Sequence, residues 1–249
     1  MTTPPEIRIL NDASDLFRAA AVEFSLLATD AVHRKRSFSV ALSGGSTPKG
    51  LYTLLASKQA PAVPWPQTSV FLSDERFVPP GDPESNFHTA NDALLSKVAV
   101  PAANVFRMKT EEPDPDLVAA QYQSVIENHF ATRPGEIPTF DLILLGLGPD
   151  GHTASLFPGS AALSENKRLV VSNWVEKFKT YRLTFTYPLI NHAACVMFLV
   201  SGKDKADIVR QVFEDPNAKL PAQNVKPSNG KLLWLIDREA ASQLSAEKN

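Results

Sequence analysis

Short apolar runs alternate with longer amphipathic stretches along this chain of 249 residues. After Asp12, a candidate N-cap, apolar residues recur every three or four positions from Phe17 through Phe24 to Ala31, which predicts one buried face of a long helix. Similar patterns predict further helices over 47–57, 87–98, 116–131, 202–213 and 237–244. The short apolar runs predict strands over 6–10, 37–42, 69–72, 140–145, 181–186, 193–200 and 231–236.

This alternation predicts an α/β fold with a mostly parallel sheet and helices on both faces, because nearly continuous apolar strands are typical of strands buried on both sides. The best linker candidate, residues 111–116, has only the length of a loop, so we predict a single domain over 1–249. Ligands of such sheets gather beyond the carboxyl ends of the strands. The loops that follow strands are therefore where we look for a site.

Composition narrows the possible partners. The formal net charge is −2 and basic residues form no long run, which argues against a nucleic-acid or anionic-membrane partner. No apolar stretch approaches the ~20 residues of a membrane span, and the N-terminus lacks the pattern of a signal peptide. The single cysteine, Cys195, cannot form an internal disulfide. We therefore expect a reducing compartment and a cytoplasmic protein.

A glycine-containing loop follows the predicted strand 37–42 and consists of Ser43, Gly44, Gly45, Ser46 and Thr47. Thr47 is a candidate cap for the next helix. Glycines let backbone amides converge, and a helix N-terminus adds positive partial charge, so the loop suits an anion such as phosphate. A plain strand-to-helix turn explains the loop equally well on its own, and Walker A spacing is absent.

Charged residues follow the next predicted strand, where Asp74 and Arg76 belong to the sequence DER. The commoner explanation of such a cluster is a solvated loop. A functional role gains weight because this strand end should face the same crevice as the glycine loop.

The stretch DLILLGLGPDGHTASLFPG, residues 141–159, places an acid and a histidine after an apolar strand. It contains GxGxxG, but Pro158 and Gly159 end any following helix too early for a dinucleotide site. We interpret the stretch as a turn that projects His152. A histidine two positions from an acid, here Asp150, is a good candidate for a general base, although a purely structural histidine is the alternative.

Two cations complete the candidate set. Arg182 lies in an otherwise apolar strand, where a lone charge is costly unless it has a partner. Lys203 directly follows the strand 193–200. Either can be a surface charge, but together with the glycine loop they would form a phosphate site.

These loops together resemble one known family. The motifs are SGGSTP at 43–48, SDERFV at 73–78, ESN at 84–86, GLGPDGHTASLFPG at 146–159 and SGKDKA at 201–206. They resemble the 6-phosphogluconolactonases, within the larger family that includes glucosamine-6-phosphate deaminase. The resemblance implies a Rossmann-like domain related to ribose-phosphate isomerases and to that deaminase. It also implies hydrolysis of 6-phospho-D-glucono-1,5-lactone in the oxidative pentose phosphate pathway, without a metal or organic cofactor. A monomer is expected, which the sequence itself does not derive.

The resemblance assigns a role to each candidate residue. It implies that His152 is catalytic, that Asp150 and Asp74 lie beside the sugar, and that Arg76 faces the substrate. It implies a phosphate site formed by the loop Ser43–Thr47 with Arg182 and Lys203.

Two alternatives stay open. The deaminases resemble the chain in the SGG loop and in DGH, but they carry a glutamate in a segment ending Asn-Glu-Pro, where this chain has Leu156 and Phe157. They also usually replace the arginine of DERF by an aromatic residue, so both departures favour the lactonase. A non-catalytic sugar-phosphate binding protein would keep the glycine loop, Arg182 and Lys203 without needing His152.

Overall fold

The structure is a computed structural model that describes residues 4–245. Its strands are β1 Glu6–Leu10, β2 Phe38–Leu42, β3 Thr68–Leu72, β4 Asp74–Arg76, β5 Leu142–Leu145, β6 Val170–Val175, β7 Thr180–Phe185, β8 Cys195–Val200 and β9 Lys231–Asp237. Its α-helices are α1 Ala13–Lys35, α2 Ser46–Leu55, α3 Asn86–Ala90, α4 Pro115–Phe130, α5 Tyr187–Ile190 and α6 Ala206–Glu214. A single π-helical turn, Asn91–Leu95, continues α3.

Six strands form a parallel sheet in the order β1-β9-β8-β5-β2-β3. A second, antiparallel sheet has the order β4-β7-β6. Only Ser73 separates β3 from β4, so the small sheet begins at the carboxyl edge of the large one. This junction brings the charged residues of β4 to the place where the loops of the parallel strands meet.

The parallel sheet separates two apolar cores, because successive side chains of a strand point to opposite faces. In β5, Leu142 and Leu144 belong to the core that includes residues of α1 and α2, such as Phe24 and Tyr52. Ile143 and its neighbours on the other face belong to the core that includes residues of α4 and α6. The predicted mostly parallel sheet with helices on both faces is therefore confirmed.

Three local predictions meet different outcomes. Asp12 caps α1 as predicted, since its side chain accepts a hydrogen bond from the Asp15 backbone N–H at 2.8 Å. Thr47 is not the cap of α2, which begins at Ser46 after Gly45 and has no side-chain cap. The helix predicted over 237–244 is wrong, because β9 includes Asp237 and residues 238–243 form turns.

The small sheet contains a strand that the apolar pattern missed. β6 alternates less regularly than the predicted strands, since Ser172 and Asn173 interrupt its valines. Among residues 4–245, no helix is both long enough and apolar enough to cross a membrane.

Candidate active site

A cleft of about 290 Å³ opens where the loops after β2, β5 and β8 meet the small sheet. The residues that line it include Gly44, Asp74, His152 and Arg182. A larger hollow of about 930 Å³ lies beside α6 and β9, but no acid, histidine or cysteine is among the described residues that line it. The smaller cleft, in contrast, brings a histidine and an aspartate together.

The imidazole of His152 is oriented by Asp150. His152 Nδ1 lies 2.5 Å from Asp150 Oδ1, and the His152 backbone N–H donates to the same oxygen at 3.3 Å. Because a carboxylate only accepts, Nδ1 carries a proton, so the neutral form of the ring has its lone pair on Nε2. Burial raises the pKa of Asp150, but the hydrogen bond and charge of His152 outweigh burial, so the pKa lies below its ordinary value.

A tight turn holds this pair at the end of β5. The Gly148 backbone N–H donates to the His152 carbonyl at 2.8 Å, and Gly151 donates back to the Gly148 carbonyl at 3.0 Å. A Cβ on Gly148 would lie 2.0 Å from the His152 ring, so only glycine lets the ring lie against the backbone there. The ring also stacks on Phe157, with centroids 4.1 Å apart. These contacts place His152 in one orientation.

Asp74 lines the cleft, which Asp150 does not, and it is 6% exposed. Ser155 Oγ donates to its Oδ2 at 2.7 Å. The DER segment is thus a buried strand rather than the solvated loop that its charges suggested.

Two arginines lie opposite each other in the small sheet, since Arg76 pairs with Arg182 in the register of β4 and β7. Arg76 Nη1 donates to Asn86 Oδ1 and to the Glu84 carbonyl. In contrast, Nε and Nη1 of Arg182 are buried and have no hydrogen-bond partner among the described residues. Burial, followed by the charge of Arg76, lowers the pKa of Arg182. A bound anion would supply both the acceptors and the opposite charge.

The glycine loop forms the wall of the cleft at the start of α2. Ser43, Gly44, Gly45, Ser46 and Thr47 all line the cleft. The first N–H groups of a helix have no acceptor within the helix, so they are available to an anion. Ser43 Oγ is buried and, within residues 4–245, has no hydrogen-bond partner. The loop therefore presents several donors without a charged side chain of its own.

The structure separates the two lysines of SGKDKA. Lys203 is exposed and does not line the cleft, whereas Lys205, at the end of the 3₁₀ turn Lys203–Lys205, does line it. The sequence pattern led us to select Lys203, the first lysine after β8. The 3₁₀ turn instead places Lys205 in the lining of the cleft. Sequence reasoning also left Asn86 and Ser155 out of the candidate site, although they belong to the motifs ESN and GLGPDGHTASLFPG. Among residues 4–245, no three His, Cys, Asp or Glu side chains converge to hold a metal ion.

Known proteins resemble the chain over nearly its full length. The 6-phosphogluconolactonase of Nostoc sp. is 40% identical over 242 residues, which cover 96% of this chain and 98% of the relative. That of Synechocystis sp. is 41% identical over 243 residues, with the same coverage. The solved structure of 6-phosphogluconolactonase from Trypanosoma cruzi is 30% identical and superposes with a TM-score of 0.86, covering 99% of each chain.

The family model described as glucosamine-6-phosphate isomerases/6-phosphogluconolactonase matches residues 11–234. This range includes the glycine loop, the DER strand and the His152 turn. The chain therefore belongs to the glucosamine-6-phosphate isomerase/6-phosphogluconolactonase family.

Proposed function

We propose that this protein hydrolyses 6-phospho-D-glucono-1,5-lactone to 6-phospho-D-gluconate, a reaction of the oxidative pentose phosphate pathway. One observation carries the proposal: a single cleft holds an imidazole oriented by Asp150 and the side chain of Arg182, whose buried Nε and Nη1 have no hydrogen-bond partner among residues 4–245. The first group suits activation of water, and the second suits a phosphate. The names of the similar proteins from Nostoc, Synechocystis and Trypanosoma cruzi support the same reaction.

The phosphate is held by Arg182, Lys205 and the N–H groups of the loop Ser43–Thr47 in this proposal. Arg182 supplies a planar fork of donors, and Lys205 supplies a point charge. Lys205 replaces Lys203 in the role predicted from the sequence, because only Lys205 lines the cleft. Binding energy gained at the phosphate then positions the lactone at the other end of the cleft.

His152 acts as the general base. Its Nε2 takes a proton from a water molecule as the water oxygen attacks the lactone carbonyl, and Asp150 stabilises the imidazolium that forms. The carbonyl oxygen becomes an oxyanion, which the guanidinium of Arg76 stabilises. When the tetrahedral intermediate collapses, the bond between the carbonyl carbon and the ring oxygen breaks, and His152 returns the proton to the ring oxygen. Asp74, fixed by Ser155, accepts hydrogen bonds from sugar hydroxyl groups.

Deamination of glucosamine 6-phosphate, the other reaction considered for this family, is less favoured. The ring of Phe157 stacks on His152, so an apolar group occupies the segment in which the deaminases carry their glutamate. Incubation with glucosamine 6-phosphate should therefore release no ammonia. Ammonia release at an enzymatic rate would overturn the choice of reaction.

The direct test uses lactone generated immediately before the assay. Formation of 6-phosphogluconate is followed through the NADPH produced by 6-phosphogluconate dehydrogenase, and the spontaneous rate is subtracted. The wild-type protein should accelerate hydrolysis, and a folded His152→Asn variant serves as the matched control. A wild-type rate equal to the spontaneous rate, together with tight 6-phosphogluconate binding, would instead indicate a non-catalytic binding protein. The cytoplasmic location and the monomeric state stay predictions from the sequence.

A further inference from the structure

Asn86 is a buried residue, 1% exposed, at the junction of three segments of the cleft. Its Oδ1 accepts a hydrogen bond from Arg76 Nη1 at 2.5 Å, and its Nδ2 donates to the Asp74 carbonyl at 2.9 Å. A Cβ on Gly44 would lie 1.8 Å from Asn86 Oδ1, so the glycine loop packs directly against the same carboxamide. One neutral side chain thus contacts both proposed ends of the substrate site.

The hydrogen bonds determine which end of the carboxamide faces Arg76. A carbonyl oxygen can only accept, so the atom next to the Asp74 carbonyl is Nδ2 and the atom next to the guanidinium is Oδ1. An amide oxygen carries no net charge. It therefore fixes the direction of the Arg76 side chain and leaves its positive charge intact. An aspartate at this position would cancel that charge.

Glu75 fastens the segment that carries Asn86 to β4. Its Oε1 accepts from the backbone N–H groups of Arg76 at 2.8 Å and of Asn86 at 2.6 Å. Its Oε2 accepts from the Phe87 backbone N–H at 2.8 Å and from Ser85 Oγ at 3.0 Å. This carboxylate is 2% exposed, so the four hydrogen bonds form in a dry environment, where they are strong.

Arg76 needs a fixed partner because Arg182 is its cross-strand neighbour. Like charges directly opposite each other in a sheet repel, and the repulsion favours a conformation in which the Arg76 side chain turns away. We propose that Asn86 is a positioning residue that holds the Arg76 guanidinium in the cleft with its charge intact. This inference rests on the lactonase function proposed above.

A double-mutant cycle tests the inference. Asn86→Ala should lower kcat/KM for the lactone by ~10- to 100-fold, since a misplacement of about 1 Å at a reacting group can cost a hundredfold. In an Arg76→Ala background the same substitution should cost no more than about threefold, because the residue that it positions is gone. A loss of equal size in both backgrounds would show that Asn86 does not act through Arg76.

Ser85→Ala is the matched control for loosening of the loop. It removes a hydrogen bond to Glu75 without touching Arg76, so it should lower Tm while kcat/KM stays within about threefold of wild type. A loss of kcat/KM as large as that of Asn86→Ala, at a similar fall in Tm, would assign Asn86 a merely structural role.

Crystal structures of the wild type and of Asn86→Ala provide a measurement that does not depend on the reaction. The Arg76 guanidinium should leave its wild-type position in the variant, and an unmoved guanidinium would overturn the inference. If the wild type fails to hydrolyse the lactone, the proposed function fails, but these structures still decide the role of Asn86.

Discussion

Arg182→Met should weaken phosphate binding while making the free protein more stable. Methionine has a similar length to arginine but removes Nε and Nη1, the two nitrogens that are buried without a hydrogen-bond partner in the described part of the chain. One hydrogen bond to a charged group contributes about 1.5–3 kcal/mol. Because the cleft opens to water, we use the lower end for each of the two lost bonds, about 3 kcal/mol in total. At 1.4 kcal/mol per tenfold, the Kd for 6-phosphogluconate should rise roughly a hundredfold.

The effect on stability has the opposite sign. A buried donor without a partner costs about 1–3 kcal/mol, and the half-buried Arg182 should lie near the lower limit. The lowered pKa of Arg182, caused by burial and by Arg76, points in the same direction, since it shows that the folded protein disfavours the cation. For a chain of this size, a gain of about 1 kcal/mol raises Tm by about 2–4 °C.

Titration calorimetry with 6-phosphogluconate and with gluconate measures the first effect, and scanning calorimetry in phosphate-free buffer measures the second. Gluconate lacks the phosphate, so its Kd should change little. Arg168→Met is the matched control, because this arginine is exposed and paired with Glu165. It should leave the Kd values of both ligands unchanged. A lower Tm for Arg182→Met, with equal losses for both ligands, would show that Arg182 supports the fold and not the phosphate.

Three further predictions follow from the same cleft and from one surface carboxylate. In folded His152→Asn, kcat should fall by a factor of about 10²–10⁴, while 6-phosphogluconate binds almost normally. A kcat within about threefold of wild type would show that another group is the base. Lys205→Ala should raise the Kd for 6-phosphogluconate about tenfold. Its matched control, Lys203→Ala, should not, because Lys205 lines the cleft and Lys203 does not. Equal effects of the two substitutions would refute the assignment of Lys205 to the phosphate. Hydrogen bonds from two nearby backbone N–H groups lower the pKa of Glu165 from 4.5 to about 2. The stability it contributes is therefore present above pH 4.5 and is lost as the pH falls towards 2. Acid unfolding of Glu165→Gln should show a weaker dependence on pH over that range, and an unchanged profile would contradict the assignment.

The parallel sheet could be predicted because its central strands β2, β5 and β8 are apolar at nearly every position, a signal that is local in sequence. The strand β6 could not, because its inner position at Asn173 is polar. That residue is accepted in the interior since its Nδ2 donates to the Ser155 carbonyl at 2.9 Å, a contact between distant segments. The false helix after β9 has a similar cause. Asp237 binds Ser201 Oγ and the Gly202 backbone N–H, and this loop contact is invisible in the local pattern.

The candidate site shows the same division. His152, Asp150 and the glycine loop follow strands whose carboxyl ends meet, so their grouping follows from topology. The choice between Lys203 and Lys205 depends on one 3₁₀ turn, and the role of Asn86 depends on the pairing of β4 with β7. Such details arise from tertiary contacts that neither residue type nor spacing encodes.

The position of β1 in the sheet has a consequence for the chain during its synthesis. β1 is an edge strand, and its partner in the sheet is β9, near the other end of the described chain. On the ribosome, β1 must therefore wait as an unpaired strand until Lys231–Asp237 has been translated and has emerged. Exposed strands of this kind tend to aggregate, and charged side chains oppose that tendency. Glu6 and Arg8 interrupt the apolar residues of β1, so the nascent strand carries its own protection during the interval.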